Sequence, residues 1–335
     1  MPSRSRSFAL ASLLLLGAAP SARADLQVLK IASLAPEGSS WMKLFREWGK
    51  KIEDRSGGQV KIKFFAGGVA GDERDAVRKM RLGQMQGAAV TGIGLGLIQP
   101  EVRVLDLPFL FKNYDELDYV RTTLEADFKK KFEEKGYVFL NWGDVGPVHL
   151  FSNIPIKSRD DLRKTKLWAW NDDAIVRKLF AELGITGVPL GVPDVLPSLQ
   201  TGLIDACYGS PLSTLALQWH SKVKYISSMV IIQSAGATVL TKVSWDKLTP
   251  DQQKIVVEES KLLQSRLLKQ VREDNDKALA KMKSLGLQVV ETPAALVSEF
   301  QQQSKTLRAS LDGQLYTKEF RQRVEQVLAQ KSGKP

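Results

Sequence analysis

Residues 27–34 are apolar at Val28, Leu29, Ile31, Ala32 and Leu34, the pattern of a buried strand. Gly38-Ser39-Ser40 then supplies cap chemistry for a helix carrying Trp41, Leu44, Phe45 and Trp48 on one stripe. Val60, Ile62 and Phe64 alternate with Lys61 and Lys63, which predicts a half-buried strand. The turn at Gly67-Gly68 leads to a helix over 72–82 that Gly83 stops. Residues 87–91 form a short strand whose small side chains let another group approach its end closely.

The rhythm returns further on. Residues 174–183 predict a helix ended by Gly184, 187–190 a short strand, 194–201 a helix ended by Gly202, and 203–208 a strand of small residues. Two such units argue for two α/β lobes with parallel-rich sheets, whose ligand sites lie where strand ends meet a crevice. Beyond them, Pro250-Asp251 opens a helix in which Ile255, Leu262, Leu263, Leu267, Val271 and Leu279 recur as far as Gly286. It would be on the order of 50 Å long, enough to brace both lobes.

Length and charge narrow the class. At the start, Arg4 and Arg6 precede an apolar run over 8–19 and the small-x-small triplet Ala22-Arg23-Ala24, which predicts an export signal over 1–24. The mature chain would then begin near Asp25, and the periplasm is the expected location. Three of the positive charges lie in that leader and no acid does, so the formal +11 less 3 leaves +8. Basic residues alternate with acids, as in Lys50-Lys51-Ile52-Glu53-Asp54-Arg55, so a solvated surface is expected and no nucleic-acid partner. Cys207, the single cysteine, leaves no internal disulfide and sits in an apolar strand, where a buried inert thiol is expected.

Catalytic motifs are missing from the pattern. His149 and His220 have neither metal-ligand spacing nor a neighbouring nucleophile motif, so both read as structural. The stretch Thr91-Gly92-Ile93-Gly94-Leu95-Gly96 lacks the Lys-Ser/Thr of a phosphate loop and the spacing of a dinucleotide fingerprint. The expectation is therefore no enzyme, no cofactor and no metal. What remains is aromatic: Trp142, Trp168, Trp170 and Tyr208 fall at or just beyond predicted strand ends.

Over nearly the whole mature length the chain resembles the DctP-type solute receptors of tripartite ATP-independent periplasmic (TRAP) transporters. The resemblance is carried by Leu29-Lys-Ile-Ala32, Ser56-Gly-Gly-Gln-Val-Lys61, Gly71-Asp-Glu-Arg74, Leu82-Gly83, Leu105-Asp-Leu-Pro-Phe-Leu-Phe111, Ile154-Pro-Ile156 with Asp161-Leu162, Leu199-Gln-Thr-Gly202 with Asp205, and Leu248-Thr-Pro-Asp-Gln252. It implies a type II-like periplasmic-binding-protein fold: two α/β lobes, a cleft between them, crossing strands and a long bracing helix. Lobe I would take 25–145 with 234–273, and lobe II 146–233 with 274–335. Closure over a small-molecule solute would signal to the small and large integral-membrane subunits of the transporter. A sensory module docking on a receptor kinase would use the same fold.

The chain departs from that pattern at the ligand. The family holds organic acids through arginines, and the corresponding positions here are Val148 and Trp168, the latter within Lys166-Leu-Trp-Ala-Trp170. An arginine fork gives a carboxylate two charge-assisted hydrogen bonds, which no indole replaces. The family's polar residue at the end of the first small-residue strand becomes Thr91, and its Gln-Glu-Asn-Pro becomes Cys207-Tyr208-Gly209-Ser210-Pro211. The expected site is Leu34, Thr91, Trp142, Val148, Trp168, Trp170, Asn171, Tyr208 and Ser210, an aromatic and largely uncharged cleft for a neutral, apolar or aromatic solute. A carboxylate held by some other cation is the alternative, as is a cation stacked on indole faces with help from Asp172 or Asp173.

Overall fold

The computed structural model describes residues 26–171, 173–331 and 333, so the expected export signal and Asp172 lie outside the described residues. The chain is mixed α/β. Strand β1 (Gln27–Ser33) leads to α1 (Ser40–Arg55), whose first turn is closed by the Ser39 hydroxyl accepting from the Met42 N–H. Met42, Phe45, Trp48 and Ile52 are buried along one face of α1. Then come β2 (Val60–Phe65), α2 (Glu73–Arg81) and β3 (Gly87–Thr91), close to the predicted bounds. The glycine-rich stretch after β3 is a helix, α3 (Gly92–Ile98), followed by a 3-10 segment, Pro100–Asp106.

Helices α4 (Tyr114–Thr123) and α5 (Glu125–Glu134) lead into the long strand β4 (Tyr137–Ser152). After it, α6 (Arg159–Arg163), β5 (Trp168–Trp170), α7 (Ala174–Leu183), β6 (Val188–Leu190), α8 (Val192–Thr201), β7 (Ala206–Gly209) and α9 (Pro211–Ala216) form the second unit. Strands β8 (Tyr225–Ser227) and β9 (Ile232–Thr241) and the short α10 (Lys242–Trp245) return the chain. The last elements are α11 (Pro250–Ser284), β10 (Gln288–Val290), α12 (Ala294–Ser310) and α13 (Lys318–Lys331).

The main sheet runs β10-β8-β4-β9-β3-β1-β2, with β7 also on β4, and β5 and β6 make a separate parallel pair. Two strands, β4 and β9, cross the whole molecule. Residues 137–144 of β4 lie with β9 and the parallel β1, β2 and β3, while His149 to Ser152 pair with β7 and Phe151 and Ser152 with β8. The β4–β9 register shifts twice, between Phe139 and Asn141 and between Asp144 and Gly146. At the second shift Gly146 has φ +121°, and a side chain there would meet the Asn275 amide at 2.4 Å. Asn275 fastens this point to α11: its Nδ2 donates to the Val145 carbonyl (3.1 Å) and its Oδ1 accepts from the Leu212 N–H (3.0 Å).

Helix α11 has 35 residues, about 52 Å at about 1.5 Å per residue. Its start carries a capping box between Thr249 and Gln252. Leu263 and Leu267 pack with α1 and the sheet, and Met282 packs near Trp219 and Val223, so α11 braces both halves. The helices after α11 pack against both halves. Helix α12 lies against the second half, where Glu299 pairs with Arg159 (3.0 Å), and also touches the first, with Phe300 edge-on to Phe109 (6.4 Å) and Arg308 donating to the Pro108 carbonyl (2.9 Å). By contrast, α13 returns to the first half, with Phe320 edge-on to Phe128 (5.5 Å) and Arg323 paired with Asp127 (2.7 Å). The physical reason is the exposed aromatic flank that α4 and α5 would otherwise leave uncovered.

Candidate functional site

A cavity of about 190 Å³ opens where the ends of β1 and β3 face the second half. Of the expected residues, Leu34, Thr91, Val148, Trp168, Trp170, Tyr208 and Ser210 line it. Trp142 and Asn171 do not. Trp142 is 1% exposed and packs at 4.5 Å from Phe139 and 5.5 Å from Phe128, within the first half's core. Asn171 is exposed, and its carbonyl accepts from Arg177 (2.7 Å).

The second half supplies an aromatic wall. Trp168 stacks on Tyr208 (ring centroids 4.7 Å, 20°) and meets Trp219 edge-on (5.2 Å, 72°), while Trp170 lies 5.8 Å away. Strand β5 holds these rings in place: the Trp168 indole N–H donates to the Leu190 carbonyl (3.0 Å), and the Trp170 backbone N–H donates to the Tyr208 hydroxyl (3.1 Å). Ser210 is spent on a cap, its Oγ accepting from the Ser213 N–H (3.1 Å). Thr91 is likewise engaged, donating to Glu73 (2.9 Å) and accepting from the Ile93 N–H (3.2 Å).

The first half supplies charges that pattern reading missed. Asp106 lies against Gly92, Glu73 against Gly94 and the Arg103 stem against Gly96; a Cβ at any of the three would come within 2.8 Å of those side chains. The glycines of α3 thus make room for the chain's own ionic groups, not for a phosphate. Arg103 reaches across to the second half, where its Nη2 donates to Asp173 (2.9 Å), and its Nε lies 2.9 Å from Asp106 Oδ2. All three are buried. Asp173 also caps α7 by accepting from the Ile175 and Val176 N–H groups. A second tie between the halves is Asp72, whose Oδ2 accepts from the Trp170 indole N–H (2.8 Å) and the Val192 N–H (3.3 Å).

Among the described residues lining the cavity, Arg103 is the one Lys or Arg, against Glu73, Asp106, Asp144 and Asp173. Asp144 is neutralised from behind by Arg121 (2.8 Å) and Arg272 (2.7 Å). Burial pushes the Glu73 carboxyl up to about 7, although Thr91 and Gly94 donate to it, and pushes Asp106 up to about 6 against the pull of Arg103. The folded chain therefore holds these protons to higher pH than the unfolded chain does. Their contribution to stability is full below the ordinary values of 4.5 and 3.8 and is lost as pH rises through about 6 to about 7. Thermal unfolding is expected to show a lower midpoint at pH 8 than at pH 5, and the difference should shrink in Glu73→Gln. An equal difference in that variant would rule out Glu73 as its source.

The other titratable candidates are structural. His149 Nδ1 lies 2.9 Å from the Ser227 carbonyl, and burial lowers its pKa. The Cys207 thiol is fully buried and pushed up by desolvation. Among the described residues no His, Cys, Asp or Glu are grouped to hold a metal ion, and no helix is long and apolar enough to cross a membrane.

Two α/β halves joined by crossing strands and closed over a cavity define a two-lobed solute-binding protein. The chain belongs to the DctP family, bacterial extracellular solute-binding proteins of family 7, whose model matches residues 31–313. A TRAP periplasmic solute binding protein from Citrobacter koseri, solved with bound D-glucuronate, is 26% identical with a TM-score of 0.82, covering 91% of this chain and 99% of that one. The sugar acid binding protein DctPAm from Advenella mimigardefordensis, in complex with galactonate, shares the fold at a TM-score of 0.85 and 19% identity, over 91% and 99% of the two chains. The uncharacterized protein YiiZ of Salmonella typhimurium is 26% identical over 62% of this chain and 64% of its own length, so the chain spans less than two thirds of that curated relative.

Proposed function

We propose that this chain is a periplasmic receptor that closes two lobes over a small neutral solute with an apolar or aromatic body and delivers it to the membrane subunits of a TRAP transporter. One observation carries the choice of solute: the single cation in the described cavity wall, Arg103, is already held between Asp106 and Asp173. Relatives are described with acids such as D-glucuronate and galactonate. In this cavity a further carboxylate would meet a surplus of acid, and burying an ion without a partner costs several kcal/mol, on the order of 3–5 when one member of a buried pair is missing. The stacked rings of Trp168, Tyr208 and Trp219 offer apolar faces instead.

Delivery follows from closure. Lobe I in this reading is 26–145 with 234–273 and α13, and lobe II is 146–233 with the remainder of the tail. Arg103 to Asp173 and Asp72 to Trp170 are contacts that exist only when the lobes meet. A solute touched by both lobes stabilises that form, and the closed surface is what a transporter recognises. Mass spectrometry of the small molecule released by denaturing protein purified from its native host should identify a neutral compound. Titration with D-glucuronate should produce no saturable heat. A released carboxylate that rebinds stoichiometrically would refute the proposed solute class.

A further inference from the structure

We infer that the cavity has a second compartment, on the face of the sheet covered by α1 and α11, in which Asn141 and Thr238 select a neutral hydrogen-bond-donating group of the solute. The inference rests on the reading of the chain as a solute receptor. Asn141 pairs with Thr238 across β4 and β9, and Thr238 pairs with Ala89 across β9 and β3, so the three form one row. The residues flanking Thr238, Ala237 and Val239, belong to the core on the other face; Ala89 and Leu140 pack with Phe45 and Leu267. The row therefore looks toward α1 and α11. All three residues line the cavity, as do Trp41, Phe45 and Leu267.

Two polar atoms in this compartment have no partner. Asn141 and Thr238 are each 1% exposed, and neither the Asn141 Oδ1 nor the Thr238 Oγ1 makes a hydrogen bond within the protein. The Asn141 Nδ2 donates to the Trp142 carbonyl (3.1 Å), which fixes the amide with its oxygen free. Buried polar atoms are almost always paired, and two orphans facing one cavity are the signature of an absent partner. The free amide oxygen accepts and the free hydroxyl accepts or donates, with apolar walls around both. That combination suits a hydroxyl or amide N–H at the end of an apolar body. It does not suit an ammonium, which needs three acceptors. Ala89 has only a methyl group and so leaves room beside the pair.

The test uses the mature chain, stripped of solute by denaturation and refolding, and three matched probes: 3-phenylpropan-1-ol, propylbenzene and 3-phenylpropanoate. Calorimetry is expected to show the alcohol preferred over the hydrocarbon by about tenfold or more, because the hydrocarbon leaves both buried oxygens unpaired. Thr238→Val and Asn141→Leu should each erase that preference, and the near-isosteric Thr238→Val should raise the ligand-free unfolding midpoint. Should Asn141→Leu fail to fold, Thr238→Val alone carries the comparison. Equal binding of alcohol and hydrocarbon, a preference unchanged in the variants, or binding of none of the three overturns the compartment. If 3-phenylpropanoate binds best while the alcohol's preference is still erased by the variants, the compartment stands and the proposed solute charge falls.

Discussion

Replacing Arg103 by methionine is expected to destabilise the protein by about 3–5 kcal/mol in denaturant unfolding, because it leaves Asp106 and Asp173 buried without their cation. Both acids are more than nine-tenths buried and lie 2.9 Å from the guanidinium, so water cannot replace it without opening the site. The pairing also joins the two halves, so small-angle scattering of Arg103→Met should show a larger radius of gyration than the parent. Removing the acids as well is the decisive control. In Arg103→Met/Asp106→Asn/Asp173→Asn the uncompensated charges are gone, and asparagine still caps α7 through its side-chain oxygen. Most of the lost stability should return. An unfolding midpoint unchanged by the single substitution would show that Arg103 bears no load.

Helix α7 was legible to the residue, and the start of α11 at Pro250 equally so, because periodicity and caps are local signals. Helix α3 was hidden. Three glycines in seven residues argue against a helix on propensity, and they are there because Glu73, Asp106 and Arg103 pack onto it. Glu73 lies 21 positions from the Gly94 it packs on, and Arg103 lies 70 from the Asp173 it pairs with, and no local pattern encodes such meetings.

The misplacement of Trp142 has a sharper cause. In an unbroken strand Trp142 would share its face with Leu140, toward α1, α11 and the cavity. The register shift between Phe139 and Asn141 reverses this: Trp142 joins Phe139 in the opposite core, and Asn141 takes the cavity face. The same irregularity turns Trp142 away from the cavity and Asn141 toward it. Its signature in the sequence is slight, whereas Trp168 and Tyr208 sit on short strands with no such shift and lie at the cavity as expected.

Truncating Trp168 to alanine is expected to cost about 3–5 kcal/mol of stability and to abolish solute binding. The side chain is 2% exposed, stacked on Tyr208, edge-on to Trp219, and tied by its indole N–H to Leu190, so its removal empties the centre of the aromatic wall. Stability loss alone would not establish a binding role, and Trp168→Phe separates the two. Phenylalanine keeps a ring against Tyr208 but loses the hydrogen bond to Leu190, which is worth about 1 kcal/mol, and leaves space at the cavity edge. This variant should therefore unfold only slightly below the parent while binding the solute recovered from wild-type protein markedly more weakly, read as a smaller ligand-induced rise in the unfolding midpoint. Trp170→Phe should behave differently. It breaks the indole bond to Asp72 that spans the halves, so the closed form should be less populated even though the stack on Tyr208 survives. If Trp168→Phe and Trp168→Ala both keep the full ligand-induced shift, the rings are core packing and the solute is held elsewhere.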